Sequence, residues 1–326
     1  MSSARYWESK LRQVLYPRPG RLRLALQYRG SVIPAIMPPV LLCTAAGIVI
    51  SLLHTYVYPL SLPILGTVIP TIVLGLLLVF RTNTAYERFW EGRKLWGLMV
   101  NTSRNLTRLI WVAIPCETEA DRQAKVGALH LILAFAIATK QHLRQEPLQE
   151  IAPFLTPDQL QALATVQNPP LRIAFWLEDY LHRQYRQGKI PIYQLTVLSD
   201  YVGNLVDVVG GSERIIKTPI PLAYAIHLKQ LLLLYCLLLP FQLVGQLGIF
   251  TGLVVGLIAF TLFGVEEIGL EIENPFGRDC NDLPLDAICQ TMQQNIQDLI
   301  DAPLMPFIAP PDSELRSGYP LTKMDQ

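Results

Sequence analysis

Formal charge is spread so unevenly along this chain that it decides the fold class before periodicity is considered. Between Arg29 and Arg81 no residue carries a formal charge, with His54 the only candidate, and between Lys229 and Glu266 there is again none. A helix needs about 20 apolar residues to cross a bilayer, so each stretch has room for two crossings. Backbone polar groups inside lipid must be satisfied within the segment, which leaves helices as the economical reading. Composition agrees: 51% of the 326 residues are hydrophobic and 16% charged, whereas soluble domains carry about 25% charged residues. A net charge of +1 provides no global field for nucleic acid or an acidic partner.

Four spans are expected: Pro38 to Tyr58, Leu60 to Phe80, Pro221 to Leu239 (stopping at Pro240), and Leu243 to Val265. Pro38 and Pro39 would open the first, where missing N–H groups cost little. Lys229 falls inside the third and must snorkel, face protein or mark a later start. Arginines and lysines cluster before the first span and after the second, while the short links between paired spans carry no charge. The positive-inside rule then puts both termini and the middle of the chain in the cytoplasm. The expected division is a cytoplasmic segment 1–30, a transmembrane hairpin 31–81, a helical cytoplasmic region 82–218, a second hairpin 219–265, and a cytoplasmic helix and tail 266–326. Nothing at the N-terminus reads as a cleaved signal peptide.

Within the middle region, Leu129 to Lys140 is apolar but too short to span, and reads as a buried core helix. An amphipathic helix closed by Gly188 follows, then a helix from Pro191 to Val209 stopped by Gly210-Gly211. After the last span, Asp282 is a candidate cap before Pro284. The five cysteines show neither CxxC pairing nor Cys/His ligand spacing and read as small buried hydrophobes. Motifs for nucleophilic, phosphate-loop or zinc chemistry are missing from the sequence, no cofactor is called for, and an enzyme is not expected.

Ile69, Ile72 and Leu76 fall on one face of the second span. Spacing alone does not distinguish a pore wall from a lipid-facing strip. Pro70 interrupts that helix at membrane depth, where broken backbone is tolerated when it lines a cavity or lies in protein. A restarted helix presents free N–H groups and a partial positive charge, which suits an anion.

Phe80 to Trp96, FRTNTAYERFWEGRKLW, resembles a characteristic segment of bacterial bestrophins. Arg29-Gly30-Ser31 before the first span, Ile69-Pro70 with Val73-Leu74-Gly75, and Asn274-Pro275-Phe276-Gly277 followed by Asp279 and Asn281 to Asp286 match the same family in order. The resemblance implies an all-α membrane protein, a homopentamer of four-span subunits around one pore. It puts the apolar neck at Ile69, Ile72 and Leu76, with Pro70 as the break in the neck helix. A second, cytoplasmic constriction would lie near Ile190 to Leu195, at Ile192 or Tyr193. Animal members hold calcium in a carboxylate turn after the last span. Here Asn274, Asp279 and Asp282 are the corresponding positions, but Arg278, Cys280 and Asn281 stand among them. Calcium wants six to eight oxygens, so calcium-gated opening is not expected.

The expected function is an anion channel for chloride or bicarbonate. A cation-selective channel for sodium or potassium is the alternative, with Glu87, Glu91, Asp200 and Asp207 as candidate vestibule carboxylates. A secondary carrier is a further alternative, although the spans show neither an internal repeat nor a midplane ionisable group; a non-conducting scaffold is another. The expected partners are other copies of the chain, inorganic anions and the bilayer, and no nucleic acid.

Overall fold

A computed structural model describes residues 27–28, 30–62 and 68–302, with the side chains of Val68 and Ile69 also outside the described set. The described residues form nine α-helices and no strand: α1 (Ile33–Tyr56), α2 (Val68–Ala113), α3 (Glu119–Leu143), α4 (Pro157–Leu163), α5 (Pro169–Arg186), α6 (Ile192–Lys217), α7 (Leu222–Leu247), α8 (Thr251–Glu271) and α9 (Leu285–Asp301). The calcium-turn residue Asn274 lies between α8 and α9, as do Asp279 and Asp282.

Two hydrophobic cores organise these helices. The smaller joins Ile36, Val40 and Cys43 of α1, Leu74 and Leu78 of α2, Leu228 and Leu232 of α7, and Val255 and Ala259 of α8. α1 and the continuous run Leu222–Glu271 are long and apolar enough to cross a membrane. α3 meets the same criterion, yet 78% of its apolar window is buried inside the protein against 33% for the other two. It is therefore the centre of the second, larger core, around Phe135, Trp96, Leu177, Leu205 and Met292.

Close approach of α1 and α8 depends on absent side chains. A Cβ on Gly252 would lie 2.5 Å from Ile48 Cγ1 and 3.0 Å from the Ile48 backbone nitrogen, and one on Gly256 would lie 2.4 Å from Thr44 Oγ1. Small residues let membrane helices pack backbone to backbone. His54, the one charge candidate in the first uncharged stretch, accepts a hydrogen bond at Nδ1 from the Leu60 N–H at 2.9 Å, fixing the turn after α1. Leu62 N–H then donates to the Phe241 carbonyl at 2.9 Å, tying that link to α7.

Several boundaries differ from the sequence expectation. Pro38 and Pro39 lie inside α1, which starts five residues before Pro38 at Ile33. Pro240 lies inside α7, whose helix continues to Leu247, with the turn at Gly248 (φ +50°). A proline removes one ladder bond, and neighbouring helices in an apolar bundle compensate for it. Gly210-Gly211 does not stop α6, which runs on to Lys217. A Cβ on Gly211 would meet Leu95 Cδ2 at 2.8 Å, so this glycine permits α6 to pack on α2. Gly188 (φ +74°) does follow the end of α5. Of the cysteines, Cys43, Cys236 and Cys289 are buried, but Cys116 is exposed and Cys280 half-exposed.

Candidate functional site: the long helix and its fastenings

α2 has 46 residues in one unbroken run, which at 1.5 Å per residue makes it about 69 Å long. One face is buried throughout: Leu74, Leu78, Arg81, Ala85, Gly92, Trp96, Met99 and Leu106 recur at helical spacing. The opposite face is bare. Ile72 is 55% exposed and Leu76 53%, against 4% for Leu74 and Leu78 on the core side. Phe80, Asn83 and Glu87 continue this bare stripe, all exposed. Ile69 belongs to the same face by spacing, but its side chain lies outside the described residues.

Pro70 occupies the third position of α2, so among the described residues it marks the helix's first turn and does not interrupt a longer helix. The first four N–H groups of a helix have no internal partner, and proline is tolerated there.

The transition at Arg81 is fastened on the buried side. Arg81 Nη2 donates to Glu273 Oε2 at 2.7 Å, and Arg81 is 2% exposed. Two turns further on, Arg88 donates through Nε to the Glu273 carbonyl at 3.1 Å, through Nη2 to the Ile215 carbonyl at 2.6 Å, and through Nη1 to Thr218 O. The last carbonyls of α6 lack helical partners, so a guanidinium there satisfies them and complements the helix dipole. Arg88 is thus a staple between α2, the end of α6 and the segment after α8. Glu87, not Arg88, faces outward on the bare stripe. Glu91 pairs with Arg214 on α6.

The Asn274-Pro275-Phe276-Gly277 turn packs on the same helix. A Cβ on Gly92 would lie 2.9 Å from Pro275 Cγ and 3.1 Å from the Phe276 ring. Phe276 is buried, and Arg144 Nε donates to the Phe276 and Gly277 carbonyls at 3.0 and 3.1 Å. The two sequence motifs are therefore the two sides of one contact. Arg144 and Glu273 were not singled out in the sequence, because neither stands out there until its partner is in place.

Of the turn's two aspartates, Asp279 is exposed and Asp282 is buried against a backbone donor. Asp282 Oδ2 accepts the Asp279 N–H at 2.7 Å, so it caps the turn and not α9, whose N-cap residue is Pro284. Asn274 Oδ1 accepts the Phe276 N–H at 3.3 Å. Asp286 pairs with Lys140 at 2.7 Å and Arg144 at 3.1 Å, and Arg278 with Glu146 at 2.5 Å. Among the described residues no group of three or more His, Cys, Asp or Glu side chains could hold a metal ion. A calcium ion needing six to eight oxygens does not fit this donor set.

At the far end of the second core, Ile192 and Tyr193 open α6, 48% and 83% exposed, whereas Ile190 is buried at 2% and Leu195 at 4%. Burial removes Ile190 and Leu195 as lining candidates and leaves the other two. Asp200 and Asp207 lie on the exposed side of α6. Lys229, inside α7, is 56% exposed and 3.8 Å from Glu266 of α8.

The described residues form an all-helical bundle with one apolar half, one charged half and one helix running through both, an arrangement that suits a membrane channel subunit. Comparison with known proteins agrees. The model of the bacterial and fungal bestrophin family matches residues 13–298. A voltage-dependent anion channel-forming protein of Nostoc sp. is 59% identical over 85% of this chain and 91% of its own length. Its counterpart in Synechocystis sp. is 57% identical over 86% and 92%. A crystal structure of a bacterial bestrophin homolog from Klebsiella pneumoniae superposes with a TM-score of 0.77 at 28% identity, covering 82% of this chain and 99% of that one. The chain belongs to the bacterial and fungal bestrophin family.

Proposed function

We propose that five copies of this chain surround one pore and pass anions, chloride or bicarbonate, across a bacterial inner membrane or a thylakoid. The carrying observation is the bare apolar face of α2 at Ile72 and Leu76, in a chain whose relatives are named anion channel-forming proteins. Ile69, Ile72 and Leu76 line the neck, with the Pro70 helix start lending it a partial positive charge. Ile192 and Tyr193 form the second constriction. Residues 31–81 and 219–265 are the membrane hairpins, 82–218 is the cytoplasmic region, and 1–30 and 266–326 are cytoplasmic as well.

A ring of isoleucine and leucine side chains offers no polar group to replace an ion's hydration, so passage is governed by dehydration cost and the gap closes by dewetting. Large, weakly hydrated anions pass more easily than small, strongly hydrated ones. Glu87, exposed on the same stripe as Ile72 and Leu76, is the observation that favours the cation-selective reading. Planar-bilayer recording of purified protein in a salt gradient decides between them: the reversal potential takes the anion sign under the proposal and the opposite sign under the alternative. Replacing Ile69, Ile72 and Leu76 together by alanine is expected to raise single-channel conductance severalfold. Unchanged conductance would remove the neck from these residues.

A further inference from the structure

Where α2 meets the start of α7, a cavity of about 480 Å³ is lined by Phe80, Arg81, Thr84, Arg88, Ile220 and Tyr224, among others. Its hydrogen bonding is incomplete. Arg81 is 2% exposed and spends Nη2 on Glu273, but its Nε and Nη1 have no hydrogen-bond partner among the described residues. A buried donor left unpaired costs free energy, and here two such donors belong to one charged group lining a cavity. Arg88 is held by three backbone carbonyls and not by a carboxylate. Glu273 accepts both from Arg81 and from the Ile220 N–H at 3.0 Å. The charged side chains that line the cavity are the cations Arg81 and Arg88, with the carboxylate of Glu273 taken up by Arg81 and that of Glu91 by Arg214.

The start of α7 adds to the same sign. This helix has 26 residues, its N-cap is Pro221, and no side chain caps its first N–H groups. Such an end presents free donors and a partial positive charge to an anion. The rim is apolar: Phe80 is 62% exposed, and Leu222 and Ile226 on the first turns of α7 are exposed as well. Charge inside and hydrocarbon outside, at the level where α2 changes from apolar to charged, match an ion with a greasy tail.

We propose that this notch between α2 and α7 binds a phosphate group at the membrane surface, with the guanidiniums of Arg81 and Arg88 and the α7 N-terminus as its donors. The apolar rim favours the phosphodiester of an anionic lipid over free phosphate. The notch borders the neck stripe at Phe80 and shares neither Ile72 nor Leu76 with it; its occupancy is read by binding, whether or not the channel conducts.

The test is thermal unfolding of the full chain in an uncharged detergent, titrated separately with dioleoyl phosphatidylglycerol, dioleoyl phosphatidylcholine and inorganic phosphate. Phosphatidylglycerol is expected to raise Tm with a logarithmic dependence on its concentration, and phosphatidylcholine is not. An equal rise with inorganic phosphate identifies the bound species as the free oxyanion. Thr84 is exposed, so Thr84→Glu puts a resident carboxylate into the notch without disturbing the buried arginines. It should weaken apparent affinity for phosphatidylglycerol by about tenfold or more, while Thr84→Gln, of the same size, keeps it. Arg81→Lys, which retains the charge opposite Glu273 but lacks the planar fork, should also bind more weakly. Equal responses to the two lipids, no response to any probe, or full retention in Thr84→Glu would each overturn the proposal.

Discussion

Asp282 is a carboxyl held by backbone in a place where water cannot reach it. It is 5% exposed, and Gly277 has no side chain because a Cβ there would lie 2.6 Å from Asp282 Oδ2. Burial, reinforced by the nearby Asp279 and Glu271 charges, raises its pKa from 3.8 to about 6. The folded form therefore binds a proton more tightly than the unfolded chain. Its contribution declines as pH rises from about 4 to about 6, by roughly 3 kcal/mol in all, and is constant outside that window. Asp282→Asn keeps an acceptor for the Asp279 N–H and removes the ionisation. The difference in Tm between variant and wild type should grow in the variant's favour across that window and then level off. A flat difference would mean the carboxyl is not buried as described. From the sequence, this residue reads as a helix cap; the signal that separates it from one is Gly277, whose role emerges only when the turn folds back on itself.

At the scale of elements, α3 is the beam on which the larger core is built, and the more deeply buried of its two buried lysines shows what the sequence could and could not reveal. Lys140 closes the run Leu129 to Lys140 with a side chain 1% exposed, its Nζ 2.5 Å from Glu150 and 2.7 Å from Asp286. Burial opposes its charge, and the two carboxylates outweigh that penalty and raise its pKa. A charge at the end of an apolar helix is visible in the sequence. Its partner in α9 lies 146 residues away and is not. Lys140→Met should cost about 3 kcal/mol, because it leaves Asp286 buried with only Arg144. Adding Asp286→Asn in that background should restore part of the loss, and a double-mutant cycle on Tm measures the coupling. Helix boundaries follow the same division. The change of character at Arg81 was legible, since it lies in local composition. The continuation of α6 through Gly210-Gly211 and of α7 through Pro240 was not, since each depends on a neighbouring helix that accepts the close approach or the missing bond.

For the whole molecule, the exposed apolar surface of one subunit is the property that calls for others. Ile72, Leu76, Phe80, Leu171, Phe175 and Ile192 are all large, hydrophobic and more than 45% exposed. Leu171, Phe175 and Ile192 lie in the half whose core is built around α3, which under the proposed topology is outside the membrane, so that another subunit and not lipid would cover them. Native mass measurement in detergent should give five subunits under the proposed assembly; a monomer would leave the α2 stripe facing lipid and end the pore reading. The family and the apolar helices α1, α7 and α8 could be read from the sequence because charge segregation and the Phe80 to Trp96 and Asn274 to Gly277 motifs are local. The stripe Ile72, Leu76, Phe80, Asn83, Glu87 needed the structure, because it is defined by what the opposite face of α2 buries.

The unbroken length of α2 has a mechanical meaning. A helix without a hinge cannot absorb a turn locally, and Arg88 clamps it to α6 and to the segment after α8. Tyr86 and Trp90 in the charged half lie some 15 to 21 Å along the axis from Leu76, so a rotation of the clamped helix as a whole moves both ends together. Under the proposed pore the subunit would behave as a driveshaft: whatever grips the charged half would set the angular position of the apolar side chains, and the narrow part of the conduit would need no sensor of its own.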